Sequence, residues 1–517
     1  MIFPGRKVAL LTQARFGLVL SLVAAALLRF WALPQGIPFG VQVDEPEVLL
    51  RAVRMMKTGD FNPHFFDYPT LYMYLQALVA VGRFLFGAMR GEWAGLAQAP
   101  PEAFYLWARA VTATLGTATV WVIYHTGLRW GRRVALLSAV MFAVMPLHVR
   151  ESHFVLTDVP VTFFVMVTLL LSLRAHERST LTAFAFAGAA AGLAGATKYT
   201  GVLALFLPLL TCALTPAIRP SRVAAAAIVV ISMVGAFLVA APYSLLDLPT
   251  FLNQFARLSG EYRAALGAPE PIWIIYLKHL RNAYGYPGSA IVVAGLAVGA
   301  WKTATGPDRF KWALLTLFPV LYFRFISNQH IFYGRYLLPL LPFLSLLGAA
   351  AVVAIVDVMR HARLPQGAKN AATVLLALIA IAPPSYTSIG FNANAAKVWT
   401  TEQAYDWILR EIPPGSRVTM ESRQILLPAS YKATYLAQLR LHPFEHYVAD
   451  GVDYLIASSQ CYGPYLDPQN GGPGRFPIEY AEYMHIFNQT QELARFTPSD
   501  EHPGPEVRIL KIVRASP

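Results

Sequence analysis

The sequence predicts an all-α polytopic membrane domain followed by a small C-terminal α/β domain. Three observations carry this prediction. Of the 517 residues 56% are hydrophobic and only 14% charged, a balance found in membrane proteins rather than in soluble domains of that length. The apolar residues gather into runs long enough to cross the roughly 30 Å of hydrocarbon in a bilayer. Past residue 390 the runs stop and short helix and strand patterns replace them. The domains are therefore expected at 1–390 and 391–517.

The formal charge of +13 suggests nucleic acid until the Lys and Arg are placed on the chain. They sit in short turns between apolar runs, which is a topology signal, so no nucleic-acid partner is expected. Two cysteines, Cys212 and Cys461, give neither a disulfide framework nor metal-ligand spacing.

In chain order, Arg6, Lys7 and Arg15 precede an apolar run without a convincing small-residue cleavage site, which reads as a retained first span. Eleven apolar runs are candidate spans: 8–33, 105–128, 133–149, 156–173, 181–197, 200–216, 223–241, 286–301, 311–326, 336–357 and 371–389. A twelfth, 68–89, is as apolar as several of these, and charge decides its fate. If the N-terminus is cytoplasmic and 68–89 does not cross, the basic turns at 129–133, 174–178, 219–222, 302–311 and 360–369 all fall inside. If it crosses, they all move outside, against the positive-inside rule. The run 68–89 is therefore expected to lie at the interface, with Arg83 and Arg90 on its polar face. This places both the loops 34–104 and 242–285 and the C-terminal domain on the extracytoplasmic side. In that domain a helix is expected at 400–410, strands at 417–420, 454–457 and 507–513, and loop at 463–477.

The unusual polar residues gather on that same face. The first loop, VQVDEPEVLLRAVRMMKTGDFNPHFFDYPTL, holds Asp44 and Glu45, then His64, Asp67 and Tyr68. A carboxylate there could take a proton from an acceptor hydroxyl, or Asp44 could simply cap the helix that follows. The next outer link, RESHFVLTDVP, holds Arg150, Glu151, His153 and Asp158, and Asp158 too could be a cap. Lys198 and Arg335, each beside a tyrosine (Tyr199, Tyr336), stand at the outer ends of later spans. Each alone reads as a snorkelling anchor; converging, they read as a phosphate clamp. Gly188, Gly192, Gly195 and Lys198 imitate a phosphate loop but lack its Gly-Lys-Ser/Thr order, so Gly188 and Gly192 are expected to pack helices. His64, His153, His279 and His330 show no diagnostic metal spacing. No cofactor is required by these residues, and a divalent metal is the one cofactor left open.

Taken in order, VDEPEVLLRA with GDFNPHFFDYPTL, ARAVTATLGTATVWVIYHTGLRWGRR, PLHVRESHFVLTDVPVTFF, GLAGATKYTG and YGRYLLPLLP resemble the lipid-carrier-dependent glycosyltransferases of the C-type (GT-C) fold. That superfamily includes the protein O-mannosyltransferases and the lipid A aminoarabinose transferase. The resemblance implies about 11 to 13 transmembrane helices with membrane-parallel helices in the first outer loop. It implies a plasma (inner) membrane enzyme that moves a sugar from a polyprenyl phosphate to a glycan, lipid or protein acceptor, with inversion. Asp44 would be the base, Glu45 and Asp158 would orient it or the acceptor, and Lys198 and Arg335 would hold the phosphate. His64, Tyr68, Arg150, His153, Tyr199 and Tyr336 would line the substrate site. The rival expectations are a transporter or flippase of a lipid-linked sugar, which would more naturally show repeated halves or paired broken helices, and a non-catalytic assembly subunit.

Overall fold

The computed structural model describes residues 4–37, 44–216, 218, 221–263, 270–361, 365–421, 425–468 and 472–513, with side chains from residue 15 onward except at Arg263. Val41–Val43 of the first loop, Arg219 and Arg363 of the basic turns and residues 264–269 lie outside the described residues. The chain divides into two compact units, one of residues 1–33 and 47–392, the other of residues 34–46 and 393–517.

The first unit is helical. It contains α1 (Pro4–Phe30), most of α2 (Glu45–Thr58), α3 (Leu71–Met89), α4 (Tyr105–Gly127), α5 (Arg132–Ala143), the short α6 (Pro146–Glu151) and α7 (Asp158–Arg178). There follow α8 (Leu181–Thr197), α9 (Phe206–Leu214), α10 (Arg222–Ala240), α11 (Tyr243–Leu246), α12 (Leu248–Arg263), α13 (Ile272–Thr305), α14 (Arg309–Ile326), α15 (Leu341–His361) and most of α16 (Gln366–Ala395). Every one of the eleven apolar runs is helical over most of its length. Seven helices are long and apolar enough to cross a membrane among the described residues, α3 among them. Others are too short to count, as with the 12 residues of α5.

Apolar side chains on every face mark α15 as the innermost helix: Leu341 to Val352 are buried without a break. Its Phe343 stacks on Phe318 of α14 with ring centroids 4.8 Å apart. Small residues allow the tightest approach, between α8 and α10. A methyl group at Gly188 would collide with the Val229 carbonyl, and one at Gly192 with that of Met233, as expected of small-residue helix packing. The helix α13 is kinked where Gly285 adopts φ +69° two residues before Pro287, a geometry that glycine alone adopts cheaply.

The second unit carries a five-stranded sheet in the order β2-β1-β3-β5-β4, from β1 (Arg417–Glu421), β2 (Lys432–Leu436), β3 (Tyr454–Ser458), β4 (Thr490–Phe496) and β5 (Val507–Ile512). The first three strands run parallel and β5 returns antiparallel. Period-two alternation divides the core. Ile456 and Ile509 face the helix α17 (Thr400–Glu411) through Ala404 and Ile408, while Leu455 and Leu510 face Tyr447, Tyr462 and Tyr483 on the other side. Those tyrosines stand on α18 (Phe444–Ala449), α19 (Ser459–Leu466) and, after the single-turn α20 (Gly472–Arg475), α21 (Pro477–Asn488). The stretch 463–477, expected as loop, is thus partly helical, because Pro464 falls in the interior of α19 without ending it.

Candidate active site

The link between α5 and α7 is fixed by buried polar bonds. Arg29 of α1 is fully buried; its Nη1 donates to the Ala143 carbonyl at 2.9 Å and its Nη2 lies 3.1 Å from His148 Nδ1. It thereby satisfies carbonyls that the short α5 leaves open at its end. His153 lies with Nδ1 2.9 Å from the Val149 carbonyl and Nε2 2.8 Å from that of Trp31. The Ser388 hydroxyl donates to the Val144 carbonyl at 2.8 Å. With this link anchored, α7 starts at a defined place, and its first residue is Asp158.

Asp158 is 3% exposed and does not cap its helix: Thr157 is the N-cap, without a side-chain bond. The carboxylate turns to two cations. Lys198 Nζ donates to Oδ1 at 2.6 Å, and Arg335 Nε lies 3.6 Å from Oδ2. Neither cation snorkels, their side chains each being 11% exposed. Lys198 ends α8 in an extended conformation, and Arg335 lies in a 3-10 helix, Gly334–Leu340, leading into α15. Because α7 and α8 are packed neighbours joined by a short turn, the start of one meets the end of the other. The helix dipoles favour an anion at the first place and a cation at the second.

Tyrosines complete the cluster. Lys198 Nζ sits 4.4 Å from the centre of the Tyr336 ring, and Arg335 Cζ 4.2 Å from that of Tyr333, both within cation–π range. The Tyr336 and Tyr262 hydroxyls are 2.5 Å apart. The Tyr199 hydroxyl donates to the Phe66 carbonyl at 2.8 Å. Beside the cluster Glu151 is buried, with Oε1 3.2 Å from Arg150 Nε. Burial raises the pKa of its carboxyl and the neighbouring Arg150 only partly offsets this. Burial likewise raises Tyr262, against the bond to Tyr336.

Lys198 and Tyr336 line a cavity of about 550 Å³ together with Tyr68, Tyr199, Tyr262 and Asp67. Its other walls are apolar, from Val202 and Leu203 after α8, Phe255 and Leu258 of α12 and Phe325 and Ile326 of α14. A charged end and an apolar body match an amphiphile with an anionic head. Lys198 and Arg335 share the single carboxylate of Asp158, while Glu151 is paired with Arg150 and Asp67 with Arg257, so one positive charge of the cluster remains for such a head even with Asp158 engaged.

Of the residues expected from the sequence, Asp158, Lys198, Arg335, Tyr336, Tyr199 and Tyr68 come together. Arg150 is exposed and joins only through Glu151. Both nitrogens of His153 are taken by backbone carbonyls. His64 is exposed, at φ +50°, with Nε2 2.9 Å from Asp60 Oδ2. Asp44 directly precedes α2, whose first residue Glu45 is fully buried, and both belong to the segment grouped with the C-terminal unit. Sequence reasoning missed Tyr262 and the pair of Arg257 with Asp67 (2.5 Å). Both come from the loop 242–285, where the one available signal was the run EYR at 261–263. Among the described residues no group of three or more His, Cys, Asp and Glu could hold a metal ion.

The sequence model of the dolichyl-phosphate-mannose-protein mannosyltransferase family matches residues 62–251. No curated protein sequence matches the chain. Among solved structures, the archaeal oligosaccharyltransferase AglB from Archaeoglobus fulgidus, in complex with an inhibitory peptide and a dolichol-phosphate, is similar with a TM-score of 0.58 at 13% identity, over 90% of this chain and 72% of its own. ArnT from Cupriavidus metallidurans bound to undecaprenyl phosphate is similar with a TM-score of 0.55 at 15% identity, over 95% of this chain and 97% of its own. The chain therefore has the GT-C fold of a multi-pass membrane protein.

Proposed function

We propose that the protein is a glycosyltransferase that moves a sugar from a polyprenyl-phosphate carrier to an acceptor hydroxyl or amine at the extracytoplasmic face of the plasma membrane. The observation that carries this reading is the cavity with Lys198 at its charged end, Arg335 joined to it through Asp158, and apolar walls between helices. An isoprenoid chain fits the walls, and a phosphate monoanion or dianion fits the cations. That the two structural relatives are described with dolichol-phosphate and undecaprenyl phosphate supports the same choice of ligand.

In the proposed reaction the acceptor oxygen or nitrogen attacks the anomeric carbon while the bond from that carbon to the phosphate oxygen breaks. A carboxylate removes the acceptor proton, and polyprenyl phosphate leaves with the bonding electrons. A single displacement of this kind inverts the anomeric centre. Lys198 and Arg335 stabilise charge that grows on the leaving phosphate, which is where fixed cations accelerate most. Asp158, held by both, positions them rather than serving as a base. The base assigned is Asp44, with Glu45 beside it, an assignment that rests on the resemblance and on the acid pair at the head of α2. A translocator would bind the same carrier but form no glycosidic bond.

The test is purified protein in nanodiscs with a radiolabelled polyprenyl-phosphate sugar and candidate acceptors. We expect a labelled glycosidic product with wild type, its loss in Asp44→Asn, and a fall of about 100-fold or more in kcat for Lys198→Gln. Carrier movement between leaflets with no product would refute the enzyme.

A further inference from the structure

A second groove lies on the other side of α14. It has a volume of about 660 Å³ and is bounded by α13, α14 and the start of α15. Its body is apolar, with Leu277, Val292 and Leu296 of α13 facing Val320 and Phe323 of α14 and Leu344 of α15. The rim residues Val293 and Val320 are exposed, so the groove is open along its side. Two arginines mark one end: Arg281, just before the kink at Gly285, and Arg324 in the last turn of α14. Neither makes an ion pair with a carboxylate among the described residues. Arg281 lies 5.2 Å from the centre of the Tyr286 ring, and Arg324 donates to the side chain of Asn328.

Asn328 lines both this groove and the cavity that holds Lys198 and Tyr336. The two hydrocarbon-lined spaces thus run along opposite flanks of α14 and meet at its end, each with cations at its polar end. From this we infer that the acceptor is itself an anionic lipid, its chains in the α13–α14 groove and its acidic headgroup on Arg281 and Arg324. The acceptor role rests on the glycosyltransferase reading above. Occupancy of the groove does not. Charge selects the occupant: two arginines without carboxylate partners among the described residues prefer a headgroup of net negative charge to a zwitterionic one, and the shared Asn328 marks where the groove meets the donor cavity at the end of α14. An acceptor nucleophile must reach that end to attack the anomeric carbon.

The experiment uses the full chain in nanodiscs doped with phosphatidylglycerol or phosphatidylcholine bearing a photoactivatable acyl chain, with cross-linked peptides identified by mass spectrometry. We expect phosphatidylglycerol to label peptides of α13 and α14. Labelling should fall about tenfold in the double variant R281Q/R324Q and also in Val293→Trp, which fills the groove without touching the charges, whereas Lys198→Gln should leave it unchanged. In the transfer assay, labelled sugar should appear in the lipid-extractable fraction, and R281Q/R324Q should raise KM for that acceptor while polyprenyl-phosphate binding stays as in wild type. Equal labelling by phosphatidylcholine, indifference to R281Q/R324Q, or displacement of the probe by polyprenyl phosphate would overturn the proposal, the last by giving the groove to the donor. Sugar found only on a water-soluble acceptor would overturn the acceptor role. Failure of all transfer together with Lys198-independent polyprenyl-phosphate binding would refute the activity instead, and with it the acceptor role, while the cross-link still decides what the groove holds.

Discussion

Asp158 is the carboxylate on which the buried cations Lys198 and Arg335 depend, and its loss should cost both stability and function. Removing one partner of a buried ion pair leaves the other charge uncompensated, at a cost of about 3 kcal/mol or more. Asp158→Asn should therefore lower the Tm of the detergent-solubilised protein markedly, and so should Lys198→Met. The double variant should lose clearly less than the sum of the two, since neither charge is then left alone. Additive losses would mean that the 2.6 Å bond contributes little. A second residue, Glu421 at the end of β1, supplies a pH dependence. Its carboxylate accepts from the Leu439 and Ser458 backbone amides, each at 2.9 Å, and from Tyr483 Oη at 2.5 Å, yet burial pushes its pKa from 4.5 up to about 7. A carboxyl whose native pKa is raised favours the protonated form. Its stability contribution is thus complete below the unfolded value near 4.5 and is lost as pH rises through about 7. The span corresponds to about 3 kcal/mol. Wild-type Tm should fall between pH 5 and 7.5 by more than that of Glu421→Gln, which weakens the bond from Ser458 at every pH but removes the slope; parallel curves would show that Glu421 does not titrate there.

At the scale of elements, it was legible that α8 packs closely on another helix, because Gly188 and Gly192 are four residues apart on one helix face; that the partner is α10 was not. Gly188→Ala and Gly192→Ala should each destabilise by about 1 to 3 kcal/mol, since each new methyl meets a carbonyl of α10 and the backbone must move. Gly235→Ala, where a methyl meets nothing within 4 Å, should be nearly neutral, and equal effects at all three would refute close packing as the cause. The helices over the eleven apolar runs were readable from the length of those runs. What escaped is equally instructive. The first half of α13, IWIIYLKHLRNAY, mixes aromatic and basic residues, so its hydropathy hid a helix that continues across a kink. Strands β2 and β4 were missed because they lie at the sheet edges, where KATYL and TQELARF are half exposed and no apolar alternation develops. The bond between Tyr262 and Tyr336 joins residues 74 apart in sequence, and no local pattern could announce it. Lys198 and Asp158 were legible only as same-face residues; that they neutralise one another is a product of packing.

For the whole molecule, orientation turns on α3. Its 19 residues are long and apolar enough to cross, and Leu78, Val81, Leu85 and Met89 form an exposed apolar stripe at helical spacing. A helix lying in the interface and one crossing the bilayer can both present such a stripe. Arg83 fits both, as its Nη2 is held by Glu92 at 2.6 Å. The parity of the basic turns separates the cases: an α3 that does not cross puts the turns at 129–133, 174–178 and 302–311 on the cytoplasmic side together with the N-terminus, and an α3 that crosses reverses them all. With Cys212 and Cys461 replaced by Ala, single cysteines at the exposed positions Thr58, Ala94, Arg178 and Ser499 can be probed in intact cells with a membrane-impermeant maleimide. We expect Thr58→Cys, Ala94→Cys and Ser499→Cys to be labelled from outside and Arg178→Cys only after permeabilisation. Labelling of Thr58→Cys and Ala94→Cys from opposite sides would make α3 a span. The site of Asp158, Lys198 and Arg335 would then open to the same side as one end of α3 only, and the first loop could no longer lie wholly on the face from which the acceptor is proposed to come.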